Sequence, residues 1–159
     1  MRVSVVRPTL PVVTHEVRIT DSEPTPTLVA PAATSWPEFP TLWKVLLDEV
    51  WACLHAAGIQ RGCRNIMLYL DDTPHVEVGV ELSRTIPVTG RVVTSVLPAG
   101  RAAMTVHRGP YSGLGDAHRA VLDWCQAHGH QPTGVRWERY GPHDDDPAEV
   151  WTEVYYQLA

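Results

Sequence analysis

In the last segment of the chain, Trp151, Glu153, Tyr155 and Gln157 alternate with Thr152, Val154, Tyr156 and Leu158. Extended backbone sends successive side chains to opposite faces, so the alternation sorts these residues into two sets. The second set is the more apolar and is expected to pack beneath a helical layer. The first set places a carboxylate between two aromatic rings on an open face. Ring faces attract flat, cationic or hydrophobic compounds, and a partly desolvated carboxylate supplies the counter-charge. With its pKa raised by burial, the same carboxyl is a candidate for proton transfer. A lone Glu in a strand is more often simply solvated, so the surroundings of Glu153 decide its role.

Those surroundings follow from the elements. Val12–Thr20 reads as a strand and Thr27–Ala33 as a second one. From Pro37 to Ala57, apolar residues recur at three and four (Leu42, Val45, Leu46, Val50, Cys53, Leu54), which predicts a helix stopped by Gly58. Ile66–Leu70 is an apolar strand that turns at Asp71–Pro74, and His75–Leu82 returns with strict alternation. The second half repeats the order. Val92–Leu97 and Arg101–His107 read as strands joined by a turn at Pro98–Gly100, and a helix runs from Gly109-Pro110-Tyr111 to about His128. Val135–Tyr140 is a strand, the acidic stretch Pro142–Pro147 a loop, and Trp151–Leu158 the closing strand.

The two halves also agree in spacing. Tyr69 follows Gly58 by eleven residues, and Tyr140 follows Gly129 by eleven. Val50 and Leu54 precede the first of these glycines by eight and four, as Val121 and Cys125 precede the second. The chain is therefore expected to be one α+β domain made of a tandem β-α-β-β repeat, residues 12–83 and 91–158, related by a pseudo-two-fold axis. Its antiparallel sheet should carry two helices on one face and a ligand groove on the other. In the first half Ile66, Leu68 and Leu70 are expected to pack under the helices, while Met67 and Tyr69 look into the groove. Tyr140, as the partner of Tyr69, should do likewise. Trp137 has the opposite parity, and its direction turns on a bulge. Trp36, just ahead of the first helix, is a further wall candidate. Trp43 has no side assigned, and Trp51 and Trp124 are expected to pack beneath the helices.

The run His107-Arg108-Gly109-Pro110-Tyr111, then Leu122-Asp123-Trp124, Trp137-Glu138-Arg139-Tyr140 and Thr152-Glu153-Val154-Tyr155, resembles the GyrI-like family. These are small-molecule-binding domains, found also as effector domains of multidrug-responsive regulators. Val76-Glu77-Val78-Gly79-Val80 resembles the corresponding first-half strand, and the likeness extends over roughly residues 12–158. It implies a central groove for bulky aromatic or cationic compounds, with the key acidic residue at Glu153 and a helix-opening Tyr at Tyr111. Some members are hydrolases that open cyclopropane rings of genotoxic natural products. In that alternative Glu153 is the general base and Tyr111 assists the developing charge. In the binding alternative, Glu153 is the counter-charge, and Trp36, Tyr69, Tyr111, Trp137, Tyr140, Trp151 and Tyr155 are walls. A third alternative is an interaction module that inhibits a protein partner through its acidic surface.

Composition bounds these alternatives. The 159 residues hold six Trp and five Tyr but one Phe, and rings with a polar handle suit half-wet pockets. A net charge of −5 disfavours a nucleic-acid surface, and the eleven or so residues before the first strand leave no room for a helix-turn-helix. No DNA binding and no membrane association are expected; oligomeric state is left open. Cys53, Cys63 and Cys125 lack disulfide or zinc spacing and read as reduced thiols of a cytoplasmic protein. His128-Gly129-His130 lacks a third ligand, and Asp144–Asp146 lacks the spacing of a calcium loop, so no metal or other cofactor is expected.

Overall fold

Leu46, Val50 and Leu54 stand four apart and are fully buried, which fixes the inner stripe of helix α1 (Phe39–Ala56). Pro40 sits in its first turn, where a missing N–H costs nothing, and Gly58 at φ +80° ends the run. Ala117, Val121 and Cys125 form the matching stripe of α2 (Leu114–Ala127), which a single 3₁₀ turn at Tyr111–Gly113 precedes. The computed structural model describes residues 14–142 and 145–159. The Val12 and Val13 end of the first expected strand, and His143 and Asp144 of the acidic loop, lie outside them.

Among the described residues, eight strands form one antiparallel sheet: β1 (Arg18–Ser22), β2 (Thr25–Ala33), β3 (Asn65–Tyr69), β4 (His75–Glu81), β5 (Val93–Leu97), β6 (Gly100–Arg108), β7 (Pro132–Tyr140) and β8 (Trp151–Leu158), in the order β1-β6-β8-β7-β3-β4-β2-β5. The protein is α+β, and the repeat is legible in this order: β2, β4 and β3 carry α1, whereas β6, β8 and β7 carry α2, and the halves meet at β3 and β7. The turn at Pro98–Gly100 does not fold β5 back on β6. β5 pairs with β2 instead, and β6 pairs with β1. Both pairings share one register, with Ser22 opposite Gly100 and Thr25 opposite Leu97, so two long, bent strands lie against each other across both repeats.

The helices share one face. Leu28, Ala30, Met67, Tyr69, Val76, Val78 and Val80 pack with α1; Ala103, Val154, Tyr156 and Leu158 pack with α2. The set Thr152, Val154, Tyr156 and Leu158 thus lies under the helical layer, as its apolarity predicts. β3 reverses its expected parity: Met67 and Tyr69 face the helices, whereas Ile66 and Leu68 face away. The physical reason is that β3 is buried on both faces, so alternation shows which residues share a side but not which side is covered. The face away from the helices has a core of its own, in which Val29 and Leu97 from one end of the strand order meet Ala102 and Met104 from the other. The sheet curls around this cluster, and Trp137, only 1% exposed, fills its middle. On that face a cavity of about 400 Å³ opens beside Arg18, Met104 and Val106.

Candidate functional site

The larger cavity, about 550 Å³, opens on the helix-bearing face between the two repeats. Pro40, Trp43 and Leu47 of α1 stand on one side of it, with Phe39 at the helix start. Tyr111 and Leu114, at the entry to α2, stand on the other. Met67 and Tyr69 of β3 and Glu138 and Tyr140 of β7 make the floor. The pseudo-symmetry accounts for the arrangement. Met67 lies nine residues after Gly58 and Glu138 nine after Gly129, and the two are also direct cross-strand neighbours. They therefore sit at the axis itself, where one repeat supplies a thioether and the other a carboxylate. Pro40, Trp43 and Leu47 likewise match Tyr111, Leu114 and His118 at a constant offset of 71 residues.

Glu138 is 3% exposed and has its hydrogen bonds supplied by neighbours. The hydroxyls of Tyr69 and Tyr140 donate to Oε1 at 2.8 and 2.6 Å, and His118 Nε2 meets Oε2 at 2.7 Å. The other ring nitrogen of His118, Nδ1, lies 2.7 Å from the Tyr156 hydroxyl. Burial pushes the Glu138 carboxyl upward. The hydrogen bond and charge of His118 and the two phenols outweigh that effect and hold the group below its ordinary range. Burial, and then the nearby Glu138 charge, drives Tyr69 and Tyr140 well above the ordinary phenol value. The floor of the cavity is thus an ionised carboxylate held by neutral phenols. Tyr111, 53% exposed, meets the edge of Tyr140 at 5.8 Å between ring centres and forms the outer wall.

The residues expected at the site divide between the two faces. Tyr69, Tyr111 and Tyr140 line this cavity. Trp36 is 45% exposed and stands beside it, 5.7 Å from Tyr69 and 6.3 Å from Phe39, with the Arg136 guanidinium 5.5 Å from its ring centre. Glu153, Trp137, Trp151 and Tyr155 lie on the opposite face of the sheet. There Glu153 is not an open counter-charge. Arg64 pairs with it at 3.2 Å, Arg139 at 3.5 Å, and Tyr155 donates to it at 2.8 Å. Arg139 also holds Glu81 at 2.5 Å, Arg64 covers the Trp151 ring at 4.8 Å, and Tyr155 stacks on Trp137 at 5.2 Å. Two arginines against two glutamates, each about a fifth to a quarter exposed, make this a closed ion-pair cluster.

Sequence reasoning passed over Glu138, His118, Phe39 and Trp43 as site residues. A signal for Glu138 was present: it lies two residues before Tyr140, so any strand that turns Tyr140 toward a ligand turns Glu138 the same way. Trp51 and Trp124 belong to the helical layer. The indole N–H of Trp51 donates to Asn65 Oδ1 at 2.9 Å, and Trp124 stacks on His128 and His130. Among the described residues, no group of three His, Cys, Asp or Glu side chains could hold a metal ion, and no helix is long and apolar enough to cross a membrane.

A sheet with two helices on one face, and a ring-lined cavity with a buried carboxylate between them, have the geometry common to small-molecule sites. The profile of the GyrI-like small molecule binding domain matches residues 15–159, and the chain belongs to that family. Among solved structures, the EcmrR C-terminal domain aligns over 91% of this chain and 98% of its own, with a TM-score of 0.73 at 18% identity. A hydrolase from Listeria innocua aligns over 91% of this chain and 92% of its own, with a TM-score of 0.60 at 10% identity. SAV2435 bound to tetraphenylphosphonium aligns over 91% of this chain and 94% of its own, with a TM-score of 0.61 at 10% identity. At these identities the three share the fold. A search of curated proteins returned no match.

Proposed function

We propose that the cavity between α1 and α2 binds a bulky hydrophobic cation, with Glu138 as its counter-charge and Phe39, Trp43, Tyr69, Tyr111 and Tyr140 as its walls. The observation that carries this reading is the ionised, 3% exposed carboxylate on the floor of a cavity lined mainly by rings and apolar side chains. A buried charge costs several kcal/mol of hydration unless something repays it, and a cation between ring faces repays it with both charge and quadrupole. Three donors already meet the carboxylate, so it acts on a ligand through its field more than through new hydrogen bonds. That suits a cation without N–H groups. Tetraphenylphosphonium, bound by the structural neighbour SAV2435, is such a cation. The net charge of −5 favours its approach. Sequestering or sensing a toxic compound in a reducing compartment is a role consistent with this chemistry and with the three free cysteines.

Binding is favoured over hydrolysis by the state of the two candidate bases. Glu153 is engaged by two guanidinium groups on the far face, and Glu138 is stabilised as a carboxylate by three donors, which weakens it as a proton acceptor. The test is a titration with tetraphenylphosphonium followed by tryptophan fluorescence, in which Trp43 is the reporter in the cavity wall. Saturable binding is expected, and Glu138→Gln should weaken it about ten- to a hundredfold, the loss of one charged contact of about 1.5–3 kcal/mol. Equal affinity in the variant would overturn the assignment of Glu138. Absence of binding by the wild type up to about 1 mM would overturn the ligand class.

A further inference from the structure

His118 belongs to α2, and its ring spans the space between the cavity floor and β8. Nε2 is 2.7 Å from Glu138 Oε2 and Nδ1 is 2.7 Å from the Tyr156 hydroxyl. A neutral ring with its proton on Nε2 satisfies both contacts, donating to the carboxylate and accepting from the phenol. A second proton, on Nδ1, is accommodated without moving the ring. The Tyr156 hydroxyl has a rotatable proton and an oxygen that can accept, so it turns to receive Nδ1–H. Both protonation states therefore fit one geometry. They differ in charge: the Glu138–His118 unit carries −1 when the ring is neutral and zero when it is protonated.

We infer that His118 selects the class of ligand that the cavity accepts: neutral, it leaves Glu138 free to attract a cation, and protonated, it cancels that charge and turns the cavity toward uncharged apolar compounds. This rests on the reading of Glu138 as counter-charge. A ligand cation and a proton on His118 then compete for one carboxylate. By reciprocity, cation binding expels the proton to the same extent that the proton weakens the cation.

The other groups around the ring leave this competition intact. β7 contributes Glu138 itself and Arg136, whose guanidinium is paired with Asp72 of the β3–β4 turn at 2.9 Å. β8 contributes Tyr156, which burial pushes up to about 12, so it stays a neutral phenol throughout. Tyr69 of β3 and Tyr140 of β7 are likewise neutral, and both donate to the other carboxylate oxygen. On β6, which also packs against α2, His107 has both ring nitrogens engaged, with His15 and with the Pro110 carbonyl, each at 2.9 Å.

The experiment compares tetraphenylphosphonium with uncharged triphenylphosphine oxide over about pH 8 to about 5.5, the range in which imidazoles change charge. For the wild type, affinity for the cation should fall by up to tenfold per pH unit on the acid side, while affinity for the neutral compound does not fall. His118→Gln keeps a donor for Glu138 and an acceptor for Tyr156 but cannot gain a proton, so its cation affinity should lose the pH dependence. A slope retained in His118→Gln would overturn the inference. So would a wild-type affinity for the cation that is the same at both ends of the range. Failure of the wild type to bind the cation even at pH 8 would instead strike the reading of Glu138. Independently of any variant, the His118 ring titration followed by NMR should move to lower pH when the wild-type protein is saturated with the cation. An unmoved titration would overturn the inference as well.

Discussion

Glu138 puts a carboxylate on the cavity floor and also ties acid stability to the cavity. Its carboxyl is held below the ordinary range in the folded protein, because the hydrogen bond and charge of His118 and the two tyrosine hydroxyls outweigh burial. A depressed folded pKa stabilises the native state at every pH above the unfolded value, and the contribution is lost as pH falls through the folded one. The wild type should therefore lose stability as pH drops below the ordinary carboxylate range of about 4.3, and Glu138→Gln should show a shallower decline there. Urea unfolding at a series of pH values between about 6 and about 3 measures this, and parallel declines in the two proteins would count against the charge of Glu138. Glu153 shows the contrasting case. Its sequence neighbours Trp151 and Tyr155 promised an aromatic site, but Arg64, just ahead of β3, and Arg139 of β7 claim the carboxylate first.

Among the elements, β4 shows how closely the central strands approach. Gly79 lies opposite Val29 of β2 and Ile66 of β3, and a Cβ there would collide with the Leu28 carbonyl. Backbone cannot move aside as the end of a side chain can, so Gly79→Ala should cost about 1–3 kcal/mol. Chemical denaturation reads this as a lower midpoint with an unchanged slope. A midpoint equal to that of the wild type would mean that β2 and β4 shift apart without cost. The same crowding explains what periodicity conveyed of each element. β4 and β8, with a full alternation, were readable to the side; β3, buried on both faces, was readable as a strand but not as to which face met the helices. α1 and α2 were readable from their apolar stripes, with ends shifted by a few residues because capping geometry sets them.

At the scale of the whole molecule, the exchanged pairing of β1 with β6 and β5 with β2 binds the repeats into one unit. Alone, a half comprising residues 14–90 would leave β1 without β6, β2 without β5, β3 without β7, and Val29, Ile66 and Leu68 without Trp137 and Tyr155. Such a fragment should show no cooperative melt as a monomer, whereas the intact chain should unfold in one transition, coincident by circular dichroism and tryptophan fluorescence. A fragment melting cooperatively at monomeric size would contradict this interdependence. By itself, the sequence determined the α+β class, the duplication, the two helical stripes, the family likeness and an excess of Trp and Tyr suited to a pocket. These follow from local spacing, which the chain carries wherever it goes. Tertiary structure alone decided which face holds the larger cavity, that Trp137 and Tyr155 fill the opposite core, and that Glu138 lies on the cavity floor while Glu153 pairs with Arg64 and Arg139 on the other face. Those choices depend on which strands become neighbours: the pseudo-two-fold axis sets Glu138 opposite Met67, between two helices, while the pairing of β7 with β8 sets Arg139 opposite Glu153 and the segment leading into β3 brings Arg64 to it.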